Sequence, residues 1–194
     1  MKYENEITVE IDISLDELKN ILKNNHFKVV DDYYINDIYM LDKNYIEEKD
    51  YLEKLKHCVL IRNIIADNEN KVILTYKYKE YNDKKEIINQ GKVDCYILSI
   101  NEGLNLLNAI GYEELIRIND HIIVYANEED ELAIQLVNDK HIYIEIEEVC
   151  NNINKKYSNI KEMKNVLSKY QIPIKDNNYF VKKAEIEIKE QTNG

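Results

Sequence analysis

Glu145 and Glu147 stand two residues apart in the stretch His141–Glu148, where apolar and polar residues alternate. In an extended chain successive side chains point to opposite faces, so both carboxylates share one face. Carboxylates lining a pocket attract hard divalent cations, which take oxygen ligands. The bland reading of the same pattern is a solvated strand face. Two cations carry a similar double reading. Arg62 is a lone charge in the apolar run Cys58–Ile65, so it either lines a polar interior or pairs with a carboxylate. Lys77 lies in Tyr76-Lys-Tyr-Lys-Glu80, where charge alternation also suits an exposed hairpin. His26, His57, His121 and His141 show no metal spacing and read as structural or exposed. Cys58, Cys95 and Cys150 are odd in number and far apart, with no CxxC. That argues against a disulfide framework or zinc site, and for a reducing compartment.

Strands must carry these residues. Glu6–Ile13 alternates strictly and reads as a strand. Ser14 is a helix N-cap with Glu17 at the capping-box position, and the helix runs to about Asn25. Phe27–Val30 and Tyr33–Met40 read as two strands, and Ile46–Lys56 as a loop or short helix. Cys58–Ile65, Lys71–Glu80 and Gln90–Leu98 read as strands, with turns at Asp67–Asn70 and Tyr81–Lys84. Asn101–Ile110 is helical and Gly111 ends it. Glu114–Asn119, Ile122–Ala126 and Leu132–Asn138 are further strands, with a turn at Asn138-Asp-Lys140 before His141–Glu148. Tyr157–Tyr170 is helical, Pro173 terminates that region, and Tyr179–Ile188 fits either helix or strand. Many hairpin-linked strands with few helices predict an antiparallel α+β fold. About eight such strands can close into a barrel with a polar interior. The order strand, helix, strands occurs twice, which permits a two-halved barrel.

The chain has 194 residues and a net charge of −11, from 26 basic and 37 acidic residues. That balance argues against nucleic acid or an anionic membrane as partner. With four Gly and one Pro there is no GxxxxGK[ST] or GxGxxG loop, so side chains would have to hold any phosphate. No apolar run nears the roughly 18 residues of a membrane span, and no apolar signal core opens the chain. A cytoplasmic protein is expected. One domain is the default, with a core over about 4–150 and a helical or extended segment over about 151–190.

Four stretches, taken in order, are similar to a known pattern. They are Asp37-Ile-Tyr39, Cys58-Val-Leu-Ile-Arg62, Ile73-Leu-Thr-Tyr-Lys77 and Tyr143-Ile-Glu-Ile-Glu147, with Ala109-Ile-Gly-Tyr112 between the last two. Together they resemble the CYTH family, the triphosphate tunnel fold of class IV adenylate cyclases and thiamine triphosphatases. The resemblance covers roughly Glu6 to Cys150. It implies an antiparallel β-barrel, or tunnel, with flanking helices. Inside, Arg62 and Lys77 would hold phosphate, and Glu6, Glu145 and Glu147 would hold Mg²⁺ or Mn²⁺. The ligand would be a phosphorylated small molecule or inorganic polyphosphate. The reaction would be triphosphate hydrolysis or cyclisation of ATP. A homodimer is left open.

The resemblance is partial. The family's first-strand signature E-x-E-x-K falls on Glu6, Thr8 and Glu10, or on Glu4, Glu6 and Thr8, and neither register supplies the lysine. One arginine position reads Leu60, a K-x-R pair falls on Asp120 and Ile122, and a metal-side Asp falls on Gln135. Glu185-Ile-Glu-Ile-Lys189 spells the signature at the wrong end of the chain. Too few cations leave open a non-catalytic binding or sensing module on the same fold, or an interaction domain without a ligand.

Overall fold

The computed structural model describes residues 5–67, 69–81 and 87–193. Its strands are β1 (Glu6–Glu10), β2 (Lys28–Asp42), β3 (Cys58–Ala66), β4 (Glu69–Tyr81), β5 (Ile87–Ile97), β6 (Tyr112–Ala126), β7 (Glu131–Val137) and β8 (His141–Glu147). Its helices are α1 (Leu15–Asn24), α2 (Tyr51–Lys56), α3 (Ile100–Ala109), α4 (Ile160–Lys169) and α5 (Lys183–Asn193). The fold is α+β, with eight strands in one sheet of order β1-β8-β7-β6-β2-β3-β4-β5. Among the described residues the hydrogen-bonded order runs open from β1 to β5. No helix among the described residues is long and apolar enough to cross a membrane.

The chain divides into two compact units. The first comprises Tyr34–Asn119 with the chain from Lys182 onward, and the second Glu4–Tyr33 with Asp120–Val181.

In the second unit, β1, β8, β7 and the end of β6 turn one face to a continuous apolar core. Ile7, Val9, Ile134, Ile144 and Ile146 line it from the strands, and all are buried. Helix α1 adds Leu18 and Leu22, and α4 adds Met163, Val166 and Leu167. The capping box forms as the sequence predicts: Glu17 N–H donates to Ser14 Oγ at 3.3 Å, and Ser14 N–H donates to Glu17 Oε2 at 3.0 Å. Between β7 and β8, Asn138 and Asp139 both take positive φ, 51° and 55°. Lys140 N–H donates across the turn to the Val137 carbonyl at 3.0 Å. The three-residue turn Asn138–Lys140, with Val137 paired to His141, fixes the register of β8.

In the first unit, α3 packs on β3 and β5. Ile38, Met40, Ile61 and Leu107 form the core there, with Val59, Val72, Leu74 and Ile97 around it. Gly103 permits the approach: a Cβ on it would lie 2.8 Å from Ile97 Cδ1 and 3.2 Å from Ile61 Cδ1. Gly111 leaves α3 at φ 95°.

Two expected breaks do not occur. Asp31-Asp32 interrupts the apolar pattern, yet β2 runs unbroken through it, with both carboxylates exposed. Asp120-His121 likewise lies within β6. His121 Nε2 and Asp32 Oδ1 are 2.7 Å apart. Turn-forming residue types yield to the ladder when neighbouring strands satisfy the backbone. The ambiguous C-terminal stretch is helical, as α5. Residues 68 and 82–84, read as turn positions, and Glu4 of the alternative signature register lie outside the described residues.

Candidate functional site: an acidic and a basic sheet face

The face of the second unit opposite its apolar core carries the carboxylates of β1 and β8, with apolar Ile122, Val124 and Val137 beside them on β6 and β7. Antiparallel register places Glu6 against Glu147, Thr8 against Glu145, and Glu10 against Tyr143. On the far side of β8, Ala133 meets Glu145 and Gln135 meets Tyr143. Residues directly opposite on one sheet face lie about 4.5–5.5 Å apart at Cβ. Glu6, Glu145 and Glu147 therefore form one acidic patch on two adjacent strands. Glu147 is exposed and accepts from Asn151 Nδ2 at 3.2 Å; Glu6 and Glu145 are half-buried. On the same face Glu131 accepts from the backbone N–H of Asn151 and Asn152, at 2.9 and 2.8 Å. Glu10 accepts from Lys175 Nζ at 2.8 Å, and its carboxylate lies 3.1 Å from His141 Nδ1.

Tyr33 reports the potential around these acids. Its phenol is pushed up to about 12, first by burial, then by the charges of Glu145, Asp31, Glu147 and Asp120. Carboxylates that help raise a phenol's pKa also favour a bound cation. The donor set of Glu6, Glu145 and Glu147 is all oxygen and thus fits a hard divalent ion. Among the described residues no three His, Cys, Asp or Glu side chains already converge on a metal position. A cation would therefore have to draw these three together by rotamer change.

The corresponding face in the first unit is richer in cations. Across β3, β4 and β5, Leu60 pairs with Thr75 and Arg62 with Ile73, while Thr75 pairs with Asp94 and Lys77 with Lys92. Arg62, Thr75, Lys77, Lys92 and Asp94 thus share one face. Asp37 joins it by forking onto Arg62 (Nε–Oδ1 2.8 Å, Nη2–Oδ2 2.6 Å). Thr75 Oγ1 donates to Asp94 Oδ1 at 2.8 Å. Leu60, at a family arginine position, is buried. So the guanidinium that the sequence left between two roles has a carboxylate partner, and Lys77 stands opposite a second lysine.

Arg62 and Lys77 fall in the first unit, and Glu6, Glu145 and Glu147 in the second. The other departures from the family pattern also have places. Asp120, Ile122 and Gln135 are all buried and, by register, share the carboxylate-bearing face of the second unit. Arg117 pairs with Glu114 at 2.8 and 2.7 Å in an exposed fork. Glu185-Ile-Glu-Ile-Lys189 lies on α5, where Lys189 Nζ reaches Glu185 at 2.6 Å across one turn. Helical spacing separates Glu185 from Glu187, so no strand-type E-x-E pair forms.

Sequence reading missed Tyr33, Lys92 and Asp130. Tyr33 and Lys92 gain meaning only from cross-strand neighbours. Asp130 is buried in the second unit and takes four donors: Lys155 at 2.9 Å, Lys169 at 2.7 Å, Tyr157 at 3.0 Å and Tyr170 at 2.8 Å. Burial alone would raise its pKa, but hydrogen bonds from Lys169, Lys155, Tyr170 and Tyr157 hold it at about 2. That cluster ties α4 to the β6–β7 turn and is structural.

No family model matches the chain. No curated protein matches it either. Solved structures do. The PH1819 protein of Pyrococcus horikoshii aligns over 97% of this chain and 99% of its own, with a TM-score of 0.69 and 17% identity. A candidate adenylate cyclase of Vibrio parahaemolyticus aligns over 97% and 98%, with a TM-score of 0.55 and 10% identity. The chain has a CYTH-type fold. That fold also accommodates other roles: a chain of the Schizosaccharomyces pombe Mediator head module aligns over 87% and 90%, with a TM-score of 0.52 and 9% identity. At such identities the likeness speaks for the CYTH-type architecture, and function has to be argued from the residues.

Proposed function

We propose that this chain binds a phosphorylated small molecule, or inorganic polyphosphate, together with Mg²⁺ or Mn²⁺. The observation that carries the reading is the register of β1 on β8, which sets Glu6 beside Glu147 and one pair away from Glu145. Three carboxylates massed on one sheet face repel one another, and a divalent cation relieves that repulsion. Such a cation supplies charge neutralisation at phosphate oxygens and can orient an attacking water or hydroxyl. Lys77, with Lys92 opposite, offers point charges to phosphate. Arg62 offers a planar fork, though a phosphate would have to share it with Asp37. The reaction we favour is triphosphate hydrolysis or class IV-type adenylate cyclisation.

A specific observation favours a second reading, a non-catalytic binding or sensing module. Three positions where the resemblance asks for cations are Leu60, Asp120 and Ile122, and all three are buried. Several negative charges on a triphosphate would then meet few counter-charges, and uncompensated buried charge costs several kcal/mol.

The deciding assay offers ATP, thiamine triphosphate and tripolyphosphate with Mg²⁺ or Mn²⁺. Phosphate or pyrophosphate release from one of them, lost in the Glu145→Ala/Glu147→Ala double variant, is the expected result. No release, but a metal-dependent rise in melting temperature with one of these anions, selects the binding module. No release and no shift would end both readings.

A further inference from the structure

Among the described residues β5 ends the hydrogen-bonded order of the sheet, pairing with β4 along one edge and with no strand along the other. Native sheets usually shield such an edge with proline, a bulge, a covering segment or a solitary lysine. Here Lys92, Val93, Asp94, Cys95 and Tyr96 are all exposed in succession, with Val93 57% and Tyr96 69% accessible. Lys92 looks at first like the solitary lysine that repels a second edge. Asp94, two residues on, changes that.

Suppose a second copy of β5 runs antiparallel with the two-fold axis at Val93. Residue 93 then faces its own mate, residue 92 faces residue 94, and residue 91 faces residue 95. Lys92 of each copy would meet Asp94 of the other, giving two opposite-charge pairs on one face. On the other face the two Val93 side chains would cover each other. No other register about a two-fold axis pairs these charges.

Within the chain Lys92 stands directly opposite Lys77. Lys92 has no hydrogen bond or ion pair among the described residues. Asp94 takes Thr75 Oγ1 on Oδ1, which leaves its second oxygen for an incoming ammonium.

We propose that β5 is a self-complementary edge through which two copies of this chain associate, centred on Val93 with reciprocal Lys92–Asp94 pairs. The occupant is a second copy rather than a foreign strand, because the Lys-x-Asp order is its own complement under two-fold symmetry.

Light scattering over a concentration series tests it. The wild type is expected to pass from 23.1 kDa to twice that mass as concentration rises. Lys92→Asp alone, or Asp94→Lys alone, sets like charges opposite and should weaken the dimer at least about tenfold. Combining the two exchanges the charges and should restore it. A wild type that stays monomeric, single variants that dimerise unchanged, or a folded double variant that stays monomeric would each overturn the proposal. A second test needs no charge change. Val93→Cys in a Cys95→Ser background should give a disulfide-linked dimer under mild oxidation, since residue 93 meets its own mate. The native Cys95 should not cross-link, being about 13 Å from its mate at roughly 3.3 Å per residue. Failure of the residue-93 cross-link, or efficient cross-linking through Cys95, would overturn the register.

Discussion

Arg62 and Asp37, 25 residues apart in sequence, meet in a two-pronged pair at 2.8 and 2.6 Å, with the carboxylate buried. Removing one partner leaves the other charge buried without compensation. Arg62→Ala is expected to cost about 3 kcal/mol by urea unfolding. Arg62→Lys keeps the charge but loses the fork, and should cost less. An alanine variant as stable as wild type would mean the pair contributes little to the fold and that Arg62 is held for another purpose.

Asp130 gives the chain an acid-sensitive lock. Its folded pKa of about 2 lies below the ordinary carboxylate value of 3.8. The sign follows from proton uptake: the unfolded state binds the proton first as pH falls. The stabilisation is complete above about pH 4 and disappears as pH drops toward 2. Asp130→Asn should lower stability at neutral pH by about 2 kcal/mol and flatten the acid limb of the stability–pH curve. An unchanged acid limb would remove Asp130 as its source.

Tyr33 titrates late, at about 12, partly because Glu145 and Glu147 are nearby. The unfolded phenol ionises near 10, so this contribution to stability is present below pH 10 and lost between about 10 and 12. A cation on the carboxylates would cancel part of their field. Millimolar Ca²⁺, a hard cation that stays dissolved at a pH where Mg²⁺ and Mn²⁺ precipitate as hydroxides, should therefore lower the Tyr33 midpoint, read as the tyrosinate absorbance change missing in Tyr33→Phe. A midpoint indifferent to millimolar metal would count against cation binding at these glutamates, with no assay of turnover needed.

Lys77→Ala should weaken tripolyphosphate binding about tenfold, equivalent to about 1.4 kcal/mol. The salt dependence of binding should become shallower as one cation is lost. Calorimetry at two ionic strengths reads both. Unchanged affinity in the variant would remove Lys77 from the phosphate site.

Much of the fold was readable because the sequence alternates strongly. The strands of Glu6–Glu10, Cys58–Ala66, Glu131–Val137 and His141–Glu147, the Ser14 capping box and the Gly111 helix end follow from local periodicity and capping chemistry. The unbroken strands β2 and β6 did not follow, since Asp31-Asp32 and Asp120-His121 interrupt the pattern until neighbouring strands supply the ladder. The helix α5 was ambiguous for a related reason. Its Glu-Ile-Glu-Ile alternation suits a strand, and only the packed structure selects i,i+4 contacts such as Lys189 on Glu185.

For the candidate site, the sequence by itself determined which residues share a strand face: Glu145 with Glu147 on one strand, Lys77 with Thr75 on another. Side-chain alternation is a property of any extended chain and needs no partner. Tertiary structure alone decided who stands opposite whom. Strand register puts Glu6 against Glu147 and Lys77 against Lys92, brings Asp37 to Arg62, and leaves β5 at an edge. Register arises from turn geometry and from burial of one whole face, which sum over residues far apart in sequence, so no local pattern encodes it.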